Sequence, residues 1–354
     1  MRVTWAQALA WRMDRHLLAP TGMLPADDVV NRLGAIPAWS GDPGYAVRVR
    51  QAESDPGDLE RALAQGRLIK VFAFRGATHL MTPAGAAVHL ALRAASRMWE
   101  RRSWRDHYQV EPEEWPSLRR SVREALADGP RTLEELAAAV TTTDRFAHLG
   151  PALSATDTFL KPFFWQGDVC FGPTRDGKVT LQALEQNPHW PGVADLAEAG
   201  PQAVTAYLSA YGPATPQRVH YWLGEGLGAG RKRITGWLAG LGERVTEVDV
   251  EGESALVLTE HVEQLGAAVP TGALRFLTGH DQWVLGPGTA EVRVVPPEHR
   301  PTITRGANLV IAGGVVCGTW RTSSDGLAVS WFAGAEGSHP DLAEQSQRVS
   351  ELLG

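Results

Sequence analysis

The chain has 354 residues, 44% of them hydrophobic and 21% charged, ordinary for a folded protein of two or three units. A net charge of −6 argues against a globally basic nucleic-acid binder. No apolar run approaches the roughly 20 residues of a membrane span. Cys170 and Cys317 are far apart with no Cys-x-x-Cys spacing, so neither disulfide nor metal site is expected, and no cofactor motif is present.

The first 18 residues do not read as a secretory leader, because Arg12, Asp14, Arg15 and His16 fall where an apolar stretch belongs. With the cysteine usage, this makes the reducing cytoplasm the expected compartment. Thr4 is placed to cap a helix over 5–18, with Ala6, Leu9, Met13 and Leu17 on one face. A second helix through Asp27, Asp28, Val29, Val30 and Leu33 runs into a loop carrying Pro37, Trp39, Gly41, Pro43 and Gly44. Pro37 forces the chain out of the helix, Gly41-Asp42-Pro43-Gly44 is turn chemistry, and 45–50 alternates like a strand. The loop thus holds an indole between Arg32 and the pair Arg48 and Arg50. Two readings of Trp39 stay open, a core plug and a base-contacting side chain.

A short helix over 58–65 ends at Gly66, and strands are expected at 68–74 and 77–81. Pro83 opens a helix expected to reach Asp106, which would carry Arg93, Arg97, Arg101 and Arg105 in a slowly winding stripe with Arg102 beside it. Such a stripe can follow a phosphate backbone or simply be a solvated face. Residues 1–125 hold 18 basic against 14 acidic residues, a net of +4, and 17 of the 18 are arginines. The remainder holds 16 against 26, a net of −10.

Helices over 118–127, 133–140 (opened by the capping box Thr132-Leu133-Glu134-Glu135) and 156–165 precede strands on either side of Asp176-Gly177. The order repeats with helices over 201–211, 217–223 and 229–241 and a hairpin at 244–259. The third of these carries Arg231-Lys232-Arg233 at the position of a recognition helix. From Thr271 short apolar runs (274–277, 283–285, 292–295, 308–311, 315–320, 327–332) separated by Gly and Pro predict a small barrel, closed by a helix over 340–353. The fold class expected is α+β: three tandem winged helix-turn-helix modules (1–112 with the long basic helix, 113–195, 196–269), then a small C-terminal β-barrel and a terminal helix (270–354).

Phosphate-binding, zinc-protease and nucleophile-elbow motifs are missing from the sequence. His79 and His89 read as structural hydrogen-bonding groups, and His280-Asp281 as a turn.

Four stretches carry a family resemblance: LAQGRLIKVFAFRGATHLMTP (63–83), YGPATPQRVHYWLG (211–224), FLTGHDQWVLGP (276–287) and VVCGTWR (315–321). Their R-G-x-x-H, YGPAT and GTW elements, in this order over nearly the whole chain, resemble the bacterial winged-helix family that includes the DNA glycosylases resolving azinomycin-type crosslinks and bulky alkylguanine adducts. The resemblance implies a DNA cradle of three winged helices and a barrel, with duplex DNA, alkylated or crosslinked, as partner and neither metal nor membrane involved. It also implies that a Gln-apolar-Gln or Gln-apolar-Asp triplet positions the attacking water. That triplet falls on Pro37-Ala38-Trp39, where the apolar centre is kept and both polar ends are lost. Proline lacks a side-chain donor or acceptor, and an indole donates but does not accept. The implied reading is DNA or adduct recognition without Gln-based catalysis. The alternatives are a glycosylase whose catalytic group has moved, to Asp42 or Asp281, and a binder of planar small molecules. The implied DNA contacts are Arg48, Arg50, Arg93, Arg97, Arg101, Arg102, Arg105, Arg231, Lys232 and Arg233.

Overall fold

A computed structural model describes residues 1–142, 144–155, 158–323, 326–337 and 339–353. It is a mixed α+β fold in which helices pack around three sheets. None of the described helices is long and apolar enough to cross a membrane.

The first sheet has six strands, in the order Ile36–Pro37, Thr78–Met81, Ile69–Phe72, Val169–Phe171, Thr180–Ala183, Arg131–Thr132. It fuses the hairpins of the first two predicted modules across a single register pair, Lys70 with Phe171. Behind it lies one continuous core running from Ile69 through the 159–165 aromatic cluster to Tyr211 and Leu258. The second sheet places the N-terminal strand Arg2–Val3 parallel to Val245–Val250, which pairs antiparallel with Glu253–Leu258. The third is an antiparallel meander of Leu274–Leu277, Asn308–Ala312, Val315–Ser323 and Gly326–Trp331.

The expected barrel is therefore an open sheet. Four strands are too few to curl closed around a core, and the Leu342–Leu353 helix covers the apolar surface instead with Val349 and Leu352. Within the same region Gln282–Leu285 is a helical turn where a strand was expected, because Asp281 caps it. Residues 156 and 157, which begin one predicted helix, lie outside the described residues; the part that follows forms a tight turn, Thr158–Leu160, and the helix Lys161–Trp165.

Two further expectations are corrected. Residues 45–50 are not a strand: Pro43–Arg48 is a helix, with Asp42 as N-cap accepting from the Tyr45 backbone N–H at 3.0 Å and Pro43 at its first position. The helix opened by Pro83 ends at Ala94, and a second helix, Arg102–Tyr108, follows a break in which Arg97 is left-handed (φ 41°). The aromatic residues explain the break. Trp99 and Trp104 are both buried on Trp115, with ring centroids at 6.2 and 6.5 Å. In one straight helix they would point about 140° apart, so the chain must turn for both to reach that core.

The first helix, Trp5–Arg15, is capped by Thr4 as expected, and the Gln7 side chain completes a capping box there. It serves three cores at once. Trp5, Ala8 and Trp11 pack with Val248 and Val257, Leu9 and Met13 pack under the C-terminal sheet, and Leu17 beyond its end joins the cluster of Val29, Val30 and Leu33.

Candidate functional site

Residues 34–42 connect a helix to a helix across the edge of the six-stranded sheet. The Ala26–Leu33 helix stops at Gly34, whose φ of 80° disfavours a side chain. Ile36 and Pro37 then pair with Leu80 and His79 at the sheet edge, the place where a residue without an N–H is tolerated. Ala38 donates to the Thr78 carbonyl at 2.9 Å, which fixes the direction in which the next residue leaves. Trp39 leaves into solvent: it is 45% exposed, so the core-plug reading is removed. Its indole lies against the His280 imidazole, with centroids at 4.4 Å and planes inclined 41°.

His280 is held unusually firmly. Its φ of 59° is left-handed, a conformation that costs a non-glycine residue free energy and is over-represented at functional sites. Nε2 lies 3.2 Å from the Thr304 carbonyl and Nδ1 lies 2.9 Å from Ser40 Oγ. A carbonyl only accepts, so Nε2 carries the proton in the neutral ring and Nδ1 accepts from the Ser40 hydroxyl. Gly306 makes room for the ring: a Cβ there would lie 2.5 Å from His280 Cε1.

Asp281 is engaged in structure. Its Oδ1 accepts from Arg50 Nη2 at 2.7 Å and Oδ2 from Arg50 Nη1 at 3.0 Å, both side chains fully buried, and Oδ1 also caps the next helix at Trp283 N. Arg50 Nη1 also donates to the Ala46 carbonyl. This pair joins the Pro43–Arg48 helix region to the 278–281 loop. It corrects two expectations at once, since Arg50 cannot reach a phosphate and Asp281 cannot act as a free base. Asp42 is different. It is exposed, and Oδ1 caps its helix while Oδ2 makes no hydrogen bond among the described residues.

A small cavity lies beneath, lined by Pro37, Ser40, Asp42, Arg50, His280 and Gln282 among others. Gln282 is 1% exposed, and neither its amide oxygen nor its nitrogen meets a protein partner among the described residues. A buried amide in that state is the usual holder of an ordered water.

The arginines once expected to form one stripe are dispersed by the helix break. Arg93 stacks on Trp165 (4.2 Å to the ring centroid), and burial lowers its pKa. Arg97 pairs with Glu100, Arg102 with Asp106 at 3.3 Å and Arg105 with Glu111 at 3.4 Å. Arg101 is exposed and Arg48 partly so, and neither is in an ion pair among the described residues. Arg231, Lys232 and Arg233 are all exposed at the start of the Arg231–Gly240 helix, also without an acidic partner among the described residues. Arg75 is an addition: on the left-handed tip of the first hairpin, it covers the Tyr221 ring at 4.5 Å, while Phe74 beside it stacks on Trp222 at 4.0 Å.

His79 and His89 are buried and bond backbone carbonyls (Ala77 at 3.0 Å, Gly85 at 2.8 Å), the structural role expected of them. Sequence spacing singles out neither Ser40 nor Gln282, and Arg75 stands out only within the R-G-x-x-H element. Ser40 and His280 are 240 positions apart, and only the fold brings them together.

Comparison with known proteins gives a consistent result. A family described as DNA glycosylase AlkZ-like matches residues 30–350. An interstrand DNA cross-link repair glycosylase from Streptomyces sahachiroi is 36% identical over 345 residues, covering 95% of this chain and 92% of the relative. The solved structure of Streptomyces sahachiroi DNA glycosylase AlkZ superposes with a TM-score of 0.92 at 34% identity, covering 99% of this chain and 97% of that one.

Proposed function

The chain belongs to the AlkZ-like DNA glycosylase family, and from that premise we infer that it binds duplex DNA and recognises alkylated or crosslinked bases without the family's Gln-based positioning of water. One observation carries the reading. Where the family's polar triplet falls, this chain presents a half-exposed indole, Trp39, on a loop braced by the sheet edge and by His280. An aromatic face in that position suits stacking on an unstacked or extruded base, and every base offers such a face.

The order of three helix groups each followed by a hairpin supports taking the units as winged helices, with Arg231 and Lys232 reaching phosphates from the recognition-helix position. Their location at a helix N-terminus strengthens this. With Arg233 beside them, three cations there oppose the helix dipole, an arrangement that an anion relieves. Arg48 and Arg101, which have no ion pair among the described residues, are further cations available to a backbone, whereas Arg75 is paired with Glu225 at 3.8 Å.

The test is direct binding by fluorescence anisotropy, comparing a plain duplex with the same duplex carrying one N7-alkylguanine, over a range of salt. The adducted duplex should bind more tightly, and both affinities should fall as salt rises. Equal affinity for both duplexes would remove adduct recognition; salt-independent binding, or none, would remove the DNA reading. A second reading, base excision by a relocated group, is favoured by Asp42 Oδ2, which accepts no hydrogen bond among the described residues.

A further inference from the structure

We propose that Ser40 and His280 form a base dyad that activates the water for hydrolysis of a cationic N7-alkylpurine from DNA, in place of the family's glutamine pair. The proposal rests on the DNA-adduct reading above, because Trp39 must bring the modified nucleotide to this loop. Four observations support it. The dyad stands immediately beside the position of the lost triplet, since Ser40 follows Trp39 and His280 lies under its indole. The proton arrangement is that of a relay to an oriented base, with Ser40 Oγ–H on Nδ1 at 2.9 Å and Nε2–H on the Thr304 carbonyl at 3.2 Å. The backbone holds His280 in a left-handed conformation, and Gly306 leaves the space the ring occupies. Finally, the buried, unpartnered amide of Gln282 lines the same cavity as Ser40, His280 and Asp42, so a water has a holder within the site.

The chemistry balances without a further reactant. The water oxygen bonds C1′ while the C1′–N9 bond breaks, and its electron pair passes to the purine ring and neutralises the N7 cation. As the water loses a proton to Ser40 Oγ, Ser40 passes its own to His280 Nδ1. The products are the neutral alkylated base, an abasic sugar with a C1′ hydroxyl, and a protonated imidazole that returns its proton to solvent. An N7-alkylated purine is already a good leaving group, so no acid is needed on the base, and activation and placement of the water are what remain for the protein.

The experiment uses the full chain and a duplex oligonucleotide with one N7-methylguanine, with free base measured by chromatography and binding by anisotropy in parallel. The wild type should release base, and Ser40→Ala and His280→Ala should each lower the single-turnover rate by roughly a hundredfold or more. Adducted-duplex affinity of Ser40→Ala should stay within about threefold, since Trp39 is retained. If His280→Ala fails to fold, Ser40→Ala alone decides. Binding of the adducted duplex with no base release by the wild type would overturn the dyad and leave the recognition reading standing. Failure to bind would overturn both. Release that survives Ser40→Ala but is abolished by Asp42→Asn would assign the base to Asp42 and overturn the dyad.

Discussion

Exposure decides what Trp39 and the buried histidines each contribute. The indole is half-exposed and its ring contact among the described residues is His280, so Trp39→Ala should lose roughly 0.5–1.5 kcal/mol of stability from that contact. It should weaken adducted DNA by roughly 1–3 kcal/mol more than plain DNA, if the ring stacks on a base. Thermal melting and the two affinities, measured on one mutant, test both halves; equal losses on the two duplexes would contradict the stacking role. The histidines of the core make a pH prediction. Burial lowers the pKa of His79 to about 4, that of His16 well below its ordinary value, and that of His89 as well. In the unfolded chain each titrates near about 6.5, so the unfolded state binds more protons in acid. Their stabilisation is complete above that pH and is lost as pH falls from there through about 4 for His79. At pH 5 His79 alone accounts for on the order of 2 kcal/mol. Urea midpoints should drop between pH 7.5 and pH 5, and a flat profile would contradict the burial. The fate of Trp39 was not legible in the sequence, because a loop indole between two prolines reads equally well as buried or presented. The commitment of Arg50 to Asp281 was hidden for another reason: the partners are 231 positions apart and only tertiary contact pairs them.

At the scale of elements, local chemistry was legible and tertiary competition was not. The cap at Thr4 and the capping box at Thr132 were expected and are present, because each is decided within four residues. The segment after Asp42-Pro43 was misread for its alternation, although Asp then Pro is itself a helix start. The long basic helix failed because two tryptophans outweigh the helical preference of 95–101, and its failure changes what the arginines can do. Of Arg97 and Arg101, only the second lacks an ion pair among the described residues, so neutralising both should reduce the salt slope of DNA binding by about one, not two. Arg231→Gln with Lys232→Gln should reduce it by about two while raising stability by up to roughly 1 kcal/mol, since two cations leave the positive end of a dipole. Opposite signs on affinity and stability are the signature; parallel losses would make these residues structural.

The whole molecule is less modular than the element order suggests. Three repeats of helices and hairpin are visible along the sequence, yet the first two hairpins join in one sheet through Lys70 and Phe171, and a strand from the N-terminus completes the third. Such pairings depend on a handful of positions with no periodic signature, which is why they could not be read in advance. Residues 1–112 expressed alone should therefore fail to unfold cooperatively, as judged by calorimetry, since their first helix loses two of its three packing surfaces. A sharp transition in that fragment would show the units to be independent. The same helix also sets a schedule for synthesis. Leu9 and Met13 leave the ribosome long before the sheet that covers them, from Leu274 onward, is made. At roughly 5–20 residues per second the wait is on the order of tens of seconds. During that interval Trp5, Leu9, Trp11 and Met13 form a sticky segment, so the nascent chain is a natural client for the chaperones that meet polypeptides at the exit tunnel.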